Sequence, residues 1–388
     1  MSFEQLQSED KAYIAGTYSR FPVALVRGEG ATLFSEDGKK YVDFGSGIAV
    51  NGFGVNDAPW KEAVIAQLNR IQHASNLYYT APQIELAKLL CEKTGAKKVF
   101  FSNSGAEANE CAIKAARKYS FDKYGEGRFR IVTLKNSFHG RTMATLSATG
   151  QDVMHRYFMP FLDGFDYAEP TFEGVRSACS SKTCAVMLEL VQGEGGVRAL
   201  DADEVKRIAA FCAKNDILLI IDEVQTGNGR TGTLYAYEQF GILPDIVTTA
   251  KGLAGGLPLG ATMFFAKTEA VFSAGDHGST FGGNPVACAG AVSILSRIDR
   301  DLLLEVQGKS AYLRTHLGRI RGVREVTGLG LLIGLDAEKD ARAVAEACLE
   351  RGLLVLTAKT KVRLLPPLTI RKDEMDFGLN ILNEVLGQ

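Results

Sequence analysis

The sequence lacks the charge imbalance and the long apolar runs that would direct it to a nucleic acid or a membrane. Its 44 Lys and Arg residues are balanced by 45 Asp and Glu residues, which leaves a formal net charge of -1 and no general field to hold a polyanion. No apolar run approaches the roughly 20 residues needed to cross a bilayer. We therefore expect neither a nucleic acid nor a membrane among the partners.

Cysteine and histidine are also scarce. The seven cysteines are odd in number and scattered, without a CxxC pair or a His at the spacing of a metal ligand. Neither a disulfide framework nor a metal site is therefore expected. The segment MSFEQLQSEDKAYI lacks the basic start and the apolar core of a secretion signal, so we expect a cytosolic protein.

What the sequence does contain is an alternation of short apolar runs and helical patterns from about residue 60 to 285. Runs that are apolar at every position indicate strands buried on both faces, as in a largely parallel sheet covered by helices. Helices are expected over Ala106–Tyr119 and Asp201–Asn215. The clearest predicted strands are Lys98–Ser102, Arg130–Leu134, Ala185–Leu190, Ile217–Ile221 and Ile246–Thr249.

The flanking parts of the chain have a different pattern. Residues 22–43 indicate short antiparallel strands, and the chain after about residue 290 indicates one long helix followed by strands and a further helix. A chain of 388 residues exceeds what one core usually fills. We predict an α/β fold with a large, mainly parallel domain over residues 51–287 and a small α+β domain built from residues 1–50 and 288–388.

One predicted strand passes through a turn of small residues into a helix, in the segment SNSGAEANE. The free N–H groups at the start of that helix, together with the Ser104 hydroxyl, form the kind of cup that holds a phosphate. A helix capped by serine is also ordinary structure. Taken alone, this segment leaves both explanations open.

Asp222 and Lys251 each stand at the carboxyl end of a predicted buried strand, where open α/β sheets bind ligands. A buried Asp needs a cation or several donors, and a protonated pyridine nitrogen would satisfy it. A lysine in such a cleft loses its proton more readily and can then attack a carbonyl group. Alone, the Asp could cap a turn and the Lys could be solvated; the combination with Ser104 favours a site.

Other residues could bind a flat ring or an anion. Phe138 offers an aromatic face and Arg141 a guanidinium suited to a carboxylate. Arg363 lies in an apolar strand and needs an anion, either a ligand or Glu194 in an internal ion pair. His139 belongs to no metal pair and no hydrolase triad, so a structural role is expected for it.

Six segments, in this order along the chain, resemble the class III (ornithine-type) aminotransferases of fold type I: SNSGAEANE, SFHGRT, QGEGGV, DEVQTGNGRTG, TTAKGLAGGLPLG and HGSTFGGNP. The resemblance runs from about Phe21 to Leu368. It implies the fold-type I architecture, pyridoxal 5′-phosphate (PLP) as the cofactor, and a homodimer with shared active sites.

The resemblance also assigns the residues around the cofactor. It implies that Lys251 carries PLP, that Asp222 pairs with the ring nitrogen and that Gln225 contacts the ring hydroxyl. Val224 and Phe138 would enclose the ring from opposite faces. The residues implied to hold the phosphate are Ser104, Gly105, Ala106 and, from the neighbouring subunit, Thr280.

For the substrates, the resemblance implies transfer of the distal amine of N-acetylornithine to 2-oxoglutarate, a step of arginine biosynthesis. Arg141, with Ser279 nearby, would bind the α-carboxylate of the amine donor. Arg363 would bind that of 2-oxoglutarate, and Glu194 would neutralise Arg363 while the donor is bound. Ile48 stands where ornithine-specific members have Tyr, which favours an acylated donor.

The chain departs from the family pattern in two places and leaves alternatives open. GVNDAP replaces the familiar GHxHP, and ELVQGE replaces EPIQGE. The alternative donors are succinylornithine, succinyldiaminopimelate, ornithine and 4-aminobutyrate, and an aminomutase of the same fold is a further alternative. A phosphate-binding α/β module without catalysis would explain the SNSGAEANE turn but would leave Asp222, Lys251 and Arg363 without a common purpose.

Overall fold

The computed structural model describes residues 1–387. The early part of the chain contains three short antiparallel strands, three right-handed helices and one left-handed turn. These elements are α1 (Phe3–Tyr13), β1 (Leu25–Glu29), β2 (Thr32–Ser35), β3 (Lys40–Asp43), the turn α2 (Ser46–Ala49), α3 (Ala58–Leu68) and α4 (Ala81–Thr94).

The middle part alternates strands with helices, as the sequence predicts. Its elements are β4 (Lys98–Ser102), α5 (Gly105–Tyr124), β5 (Arg130–Leu134), α6 (Met143–Ala148), β6 (Phe165–Ala168), α7 (Phe172–Ala178), β7 (Thr183–Leu188), β8 (Val191–Gln192), β9 (Arg198–Ala199), α8 (Ala202–Lys214), β10 (Leu218–Asp222), α9 (Tyr237–Phe240), β11 (Ile246–Thr249) and β12 (Gly260–Phe264).

Seven of these strands form one sheet in the order β4-β12-β11-β10-β7-β5-β6. The pairings β11 to β10, β10 to β7, β7 to β5 and β5 to β6 are parallel, whereas β12 runs antiparallel to both β11 and β4. Every residue of β7, β10 and β11 is buried, which explains their unbroken apolar runs. The expected fold class is confirmed, with one antiparallel strand inserted in the sheet.

The last part of the chain supplies a second sheet and its helices. Its elements are α10 (Pro285–Ser296), α11 (Arg300–Leu317), β13 (Val323–Leu329), β14 (Leu332–Ala337), α12 (Ala341–Glu350), β15 (Leu353–Leu354), β16 (Leu356–Ala358), β17 (Lys361–Leu364) and α13 (Lys372–Gly387). The strands β13, β14, β17 and β16 pair in that order. The single long helix expected after residue 290 is two helices, because Asp299 caps α11 by accepting a hydrogen bond from the Leu302 N–H (2.9 Å).

The early and late parts of the chain meet in one small sheet. There, β15 adds to the edge of the β1-β2-β3 sheet by pairing in parallel with β3. A separate core buries Val42 and Phe44 together with apolar residues between Val306 and Leu386. This mixing of distant segments agrees with a small domain drawn from both parts, although its predicted boundaries stay a prediction. No helix within residues 1–387 is long and apolar enough to cross a membrane.

Candidate active site

A cavity of about 450 Å³ opens where the loops after β4, β5, β10 and β11 converge. This is the edge at which parallel strands present their carboxyl ends. The structure brings together here most of the predicted cofactor residues and the predicted substrate residue Arg141. Those that line the cavity are Ser104, Gly105, Ala106, Phe138, Arg141, Asp222, Val224, Gln225 and Lys251.

Lys251 is separated from the end of β11 by Ala250 alone, and it begins a tight turn that ends at Ala254. Burial lowers the pKa of Lys251 to about 8; the nearby Arg363 also lowers it, while Glu194, Asp222 and Glu189 act in the opposite direction. A substantial fraction of the amine is therefore neutral near physiological pH. Such an amine can act as a nucleophile or as a base.

Asp222 ends β10 and is surrounded by hydrogen-bond donors. Its Oδ2 accepts from Asn109 Nδ2 (2.8 Å) and lies 2.8 Å from His139 Nδ1, and its Oδ1 accepts from the Val224 N–H (3.0 Å). Because the His139 ring is buried and its Nε2 has no protein partner within residues 1–387, the proton belongs on Nδ1, facing the carboxylate. These three contacts hold the Asp222 carboxyl group in a fixed orientation at the wall of the cavity.

Asn109 and His139 are therefore site residues that sequence reasoning missed. Asn109 is oriented by Thr248, whose hydroxyl donates to Asn109 Oδ1 (2.7 Å). His139 stands beside Phe138 and Arg141 in the SFHGRT segment, but its partner lies in a distant strand. Its position two residues before Arg141 was the one sequence feature that could have placed His139 in the site. That position did not indicate that its ring contacts Asp222.

The start of α5 has the form expected of a phosphate cup. The Ser104 hydroxyl caps the helix by accepting from the Glu107 N–H (3.2 Å). The N–H groups of Gly105 and Ala106 belong to the first turn, which has no intrahelical acceptors. A Cβ at Gly105 would lie 2.6 Å from Val224 Cγ1, so glycine is required for Val224 to pack against the cup.

The aromatic wall of the cavity is held by a buried acid that the sequence did not single out. Glu189 Oε1 accepts from the Phe138 N–H (2.7 Å). Burial raises the pKa of Glu189 well above its ordinary value, and the neighbouring Asp222 adds to the effect. Arg141 lies at the exposed rim, with its guanidinium 5.8 Å from the centre of the Phe138 ring and without an ion pair to any described residue. It is open to an anionic ligand.

Arg363 and Glu194 form the ion pair that the sequence allowed. Arg363 Nη1 lies 2.6 Å from Glu194 Oε1 and 3.5 Å from Gln225 Oε1, and the Arg363 side chain is only 4% exposed. Gly193 leaves room for this contact, because a Cβ there would lie 2.3 Å from Gln225 Oε1. Gln225 thus connects the pair to the cavity.

Besides Arg363 and Glu194, three predicted residues do not line the cavity: Ser279, Thr280 and Ile48. Ser279 Oγ accepts from Asn103 Nδ2 (3.2 Å) and the Gly282 N–H (2.9 Å), while Thr280 is exposed on the same turn. Ile48 lines a neighbouring cavity and belongs to the left-handed turn, with φ of 64°. The roles of all three in ligand binding stay predictions.

The cavity fits the groups of PLP. The α5 start offers N–H donors for a phosphate, and Asp222 offers an oriented carboxylate for a ring nitrogen. Lys251 lines the same cavity and makes no ion pair with any described carboxylate, so its amine is free for an aldehyde. Lys251 and Asp222 line the same cavity, and their roles toward a cofactor stay predictions.

These features define an enzyme site of the kind that handles amino groups, and the sequence comparison identifies the family. The chain belongs to the class III aminotransferases: the family described as "Aminotransferase class-III" matches residues 13–386. It is 50% identical to the acetylornithine aminotransferase of Haemophilus ducreyi, over 100% of both chains.

Solved structures of related enzymes share the fold. The N-acetylornithine aminotransferase of Stenotrophomonas maltophilia is 34% identical, covers 97% of each chain and superposes with a TM-score of 0.84. The ornithine aminotransferase of Toxoplasma gondii is 29% identical, with a TM-score of 0.94 over 100% of this chain and 94% of its own. That structure is described as having partial occupancy of PLP at its active site.

Proposed function

We propose that this aminotransferase uses PLP to move the distal amine of N-acetylornithine to 2-oxoglutarate, giving N-acetylglutamate 5-semialdehyde and glutamate in the cytoplasm. The observation that carries the proposal is the single cavity lined by Lys251, Asp222 and the α5 start. The choice of donor rests on the 50% identity to an acetylornithine aminotransferase over the full chain.

PLP, when bound, supplies an electron sink for negative charge that develops on the reacting carbon of the substrate. Lys251 would have two tasks: its Nζ would hold the cofactor, and its free amine could accept and return a proton at the reacting carbon of the substrate. Asp222 would pair with the ring nitrogen. The cup of Ser104, Gly105 and Ala106 would hold the phosphate.

Two arginines bind the carboxylates of the two substrates, one arginine for each substrate. Arg141, exposed at the rim, binds the α-carboxylate of the amine donor. Arg363 is neutralised by Glu194 at 2.6 Å during the first half-reaction. In the second, the pair opens and Arg363 receives the carboxylate of 2-oxoglutarate. One pocket thereby serves both substrates, and ping-pong kinetics are expected.

The proposal is tested at Lys251. In Lys251→Ala, the visible absorbance of bound PLP linked to the lysine and the formation of glutamate should both be lost, while the circular dichroism spectrum is retained. Lys88→Ala, at an exposed helical lysine, is the matched control and should keep both signals. Wild-type turnover in folded Lys251→Ala would refute the proposal.

The donor is tested separately, because the T. gondii ornithine aminotransferase superposes with the higher TM-score of the two structures, 0.94 against 0.84. The values of kcat/KM with N-acetylornithine and ornithine, each with 2-oxoglutarate, decide between these donors. We expect the acetylated donor to be preferred. A preference for ornithine would assign the chain to the second function without affecting the cofactor chemistry.

We further propose a homodimer with shared active sites. Leu77, Tyr79 and Phe281 are 87%, 96% and 61% exposed, and Asn76 joins their segments by donating to the Ser279 and Gly282 carbonyl groups (3.0 and 2.9 Å). Exposed apolar side chains next to Thr280 suit a face covered by a second copy. Light scattering should give twice the monomer mass, and Phe281→Asp should weaken the dimer; a monomeric, active wild type would contradict it.

A further inference from the structure

Lys251 has a backbone conformation that is unusual for a lysine. Its φ is 47°, in the left-handed region, and the preceding Ala250 is extended with φ of -164°. A residue other than glycine in this region costs about 1–3 kcal/mol and persists only where its surroundings enforce it. The contacts that hold the Ala250–Lys251 peptide in this conformation therefore help to set the direction in which the Lys251 side chain leaves the backbone.

One side-chain amide reaches this peptide from another segment. Asn228 is buried, and its Nδ2 donates to the Ala250 carbonyl and to Thr249 Oγ1, both at 3.0 Å. The Ala250 carbonyl also accepts from the Leu253 N–H (3.0 Å). Two donors thus fix the carbonyl end of the peptide whose N–H belongs to Lys251.

The amide has a single favourable orientation. Asn228 Oδ1 is buried without a protein partner within residues 1–387. Turning the amide over would place that oxygen against the Ala250 carbonyl oxygen and lose the hydrogen bond to it. Asn228 itself has φ of 57°, which asparagine tolerates better than most residues.

The segment that carries Asn228 is itself fixed. The Gly227 N–H donates to the Glu223 carbonyl (2.9 Å) and the Gly229 N–H to the Leu234 carbonyl (3.2 Å). A Cβ at Gly227 would lie 2.7 Å from the Tyr235 ring, so the turn packs closely. The same segment begins just after Val224 and Gln225, which line the cavity. Asn228 therefore couples the loop beside the cofactor ring to the strand end that carries the lysine.

We propose that Asn228 is a positioning residue that directs the Lys251 amine at the aldehyde carbon of PLP. The inference rests on the proposed function, because the amine must form a bond to that carbon while the carbonyl oxygen leaves as one molecule of water. Asn228 touches neither reacting atom. It acts through the Ala250 carbonyl and the left-handed backbone of Lys251.

The test uses Asn228→Gly, which keeps the left-handed φ available and deletes both hydrogen bonds. Apoprotein is mixed with PLP, quenched with borohydride at intervals, and analysed by mass spectrometry for reduced PLP on Lys251. We expect capture at least tenfold slower than in the wild type, about 1.4 kcal/mol in the barrier. In the reconstituted enzyme, kcat should fall while both KM values stay within about twofold.

The control is Ser310→Ala, which deletes a buried hydrogen bond to the Gly330 carbonyl (2.8 Å) outside the active site and should capture PLP at the wild-type rate. Capture at the wild-type rate by folded Asn228→Gly would overturn the inference. Should that variant not fold, Asn228→Asp, which keeps the shape but lacks the NH2 group, takes its place with the same two outcomes. Failure of the wild type to capture PLP at Lys251 would instead refute the proposed function.

Discussion

At the scale of single residues, Asp222 depends on its neighbours. Asn109 Nδ2 donates to its Oδ2, the Val224 N–H donates to its Oδ1, and His139 Nδ1 contacts Oδ2 as well. These contacts supply partners for a buried polar group and fix the direction in which its oxygens point. The carboxyl group is thus held in place by residues that do not themselves have to touch a substrate.

His139→Leu should therefore lower kcat by about tenfold or more, since a hydrogen bond to a charged group contributes about 1.5–3 kcal/mol. The KM values should change much less, because the carboxylate-binding arginines are untouched. Steady-state kinetics with both substrates measure the effect. His316→Leu, which removes a 2.9 Å contact with the Tyr312 carbonyl far from the cavity, should leave kcat unchanged. An unaltered kcat in His139→Leu would exclude this role.

The sequence alone indicated Lys251 and Asp222 as candidate site residues, but it did not indicate which residues contact Asp222 and Phe138. Lys251 and Asp222 could be found because each lies at or just beyond the end of a buried apolar strand. A charged side chain buried there is costly unless it has a partner. Glu189 and His139 could not be assigned, because their partners, Phe138 and Asp222, are set by how separate strands align. Such contacts depend on the sheet order, which no local pattern contains.

At the scale of elements, the turn after β10 contains a second buried acid that faces away from the cavity. Glu223 Oε1 accepts from the Tyr237 N–H (2.8 Å), and its Oε2 accepts from the Thr226 hydroxyl. Burial nevertheless raises the pKa of Glu223 to about 7. The folded protein therefore holds a proton there that the unfolded chain, with a carboxyl pKa of 4.5, releases earlier.

This difference makes stability fall as pH rises from about 4.5 to about 7, with the full penalty above that range. Glu223→Gln should remove this penalty. The free energy of unfolding of the variant, relative to that of the wild type, should therefore increase between pH 4.5 and pH 7 and be about 3 kcal/mol higher at pH 8. Urea unfolding at pH 5 and pH 8 measures it. A difference that does not change with pH would rule out the titration of Glu223 as its cause.

The strands themselves were predicted well where they are buried on both faces. Lys98–Ser102, Arg130–Leu134 and Ile246–Thr249 have the expected bounds, whereas two neighbours are displaced by one or two residues: Thr183–Leu188 and Leu218–Asp222. The antiparallel direction of β12 was not predicted, because direction depends on the connecting segments and not on the apolar pattern.

At the scale of the whole molecule, the two main cores are joined by a buried cation. Arg230 lies in the loop after β10, a few residues beyond Val224 and Gln225, which line the cavity. It donates to the Pro366 and Leu331 carbonyl groups, which belong to the late part of the chain. Burial lowers the pKa of Arg230 to about 9, and the buried Asp43 opposes that shift. The guanidinium thus links three separate segments.

Arg230→Met should cost about 1–3 kcal/mol, since it leaves two buried carbonyl groups without their donor. Thermal and urea unfolding measure the loss. Arg351→Met, at a partly exposed arginine that bonds the Ala347 carbonyl, is the matched control and should change stability by less than about 1 kcal/mol. Equal losses in the two variants would show that Arg230 does not join the cores.

The pairing of β3 with β15 also governs the order of events during synthesis. The edge of β3, which ends at Asp43, has no partner until Leu353 and Leu354 have left the ribosome. At ordinary translation rates this delay is on the order of tens of seconds. Throughout that interval the nascent chain carries an open strand edge, a place where two unfinished copies on one messenger could join by mistake.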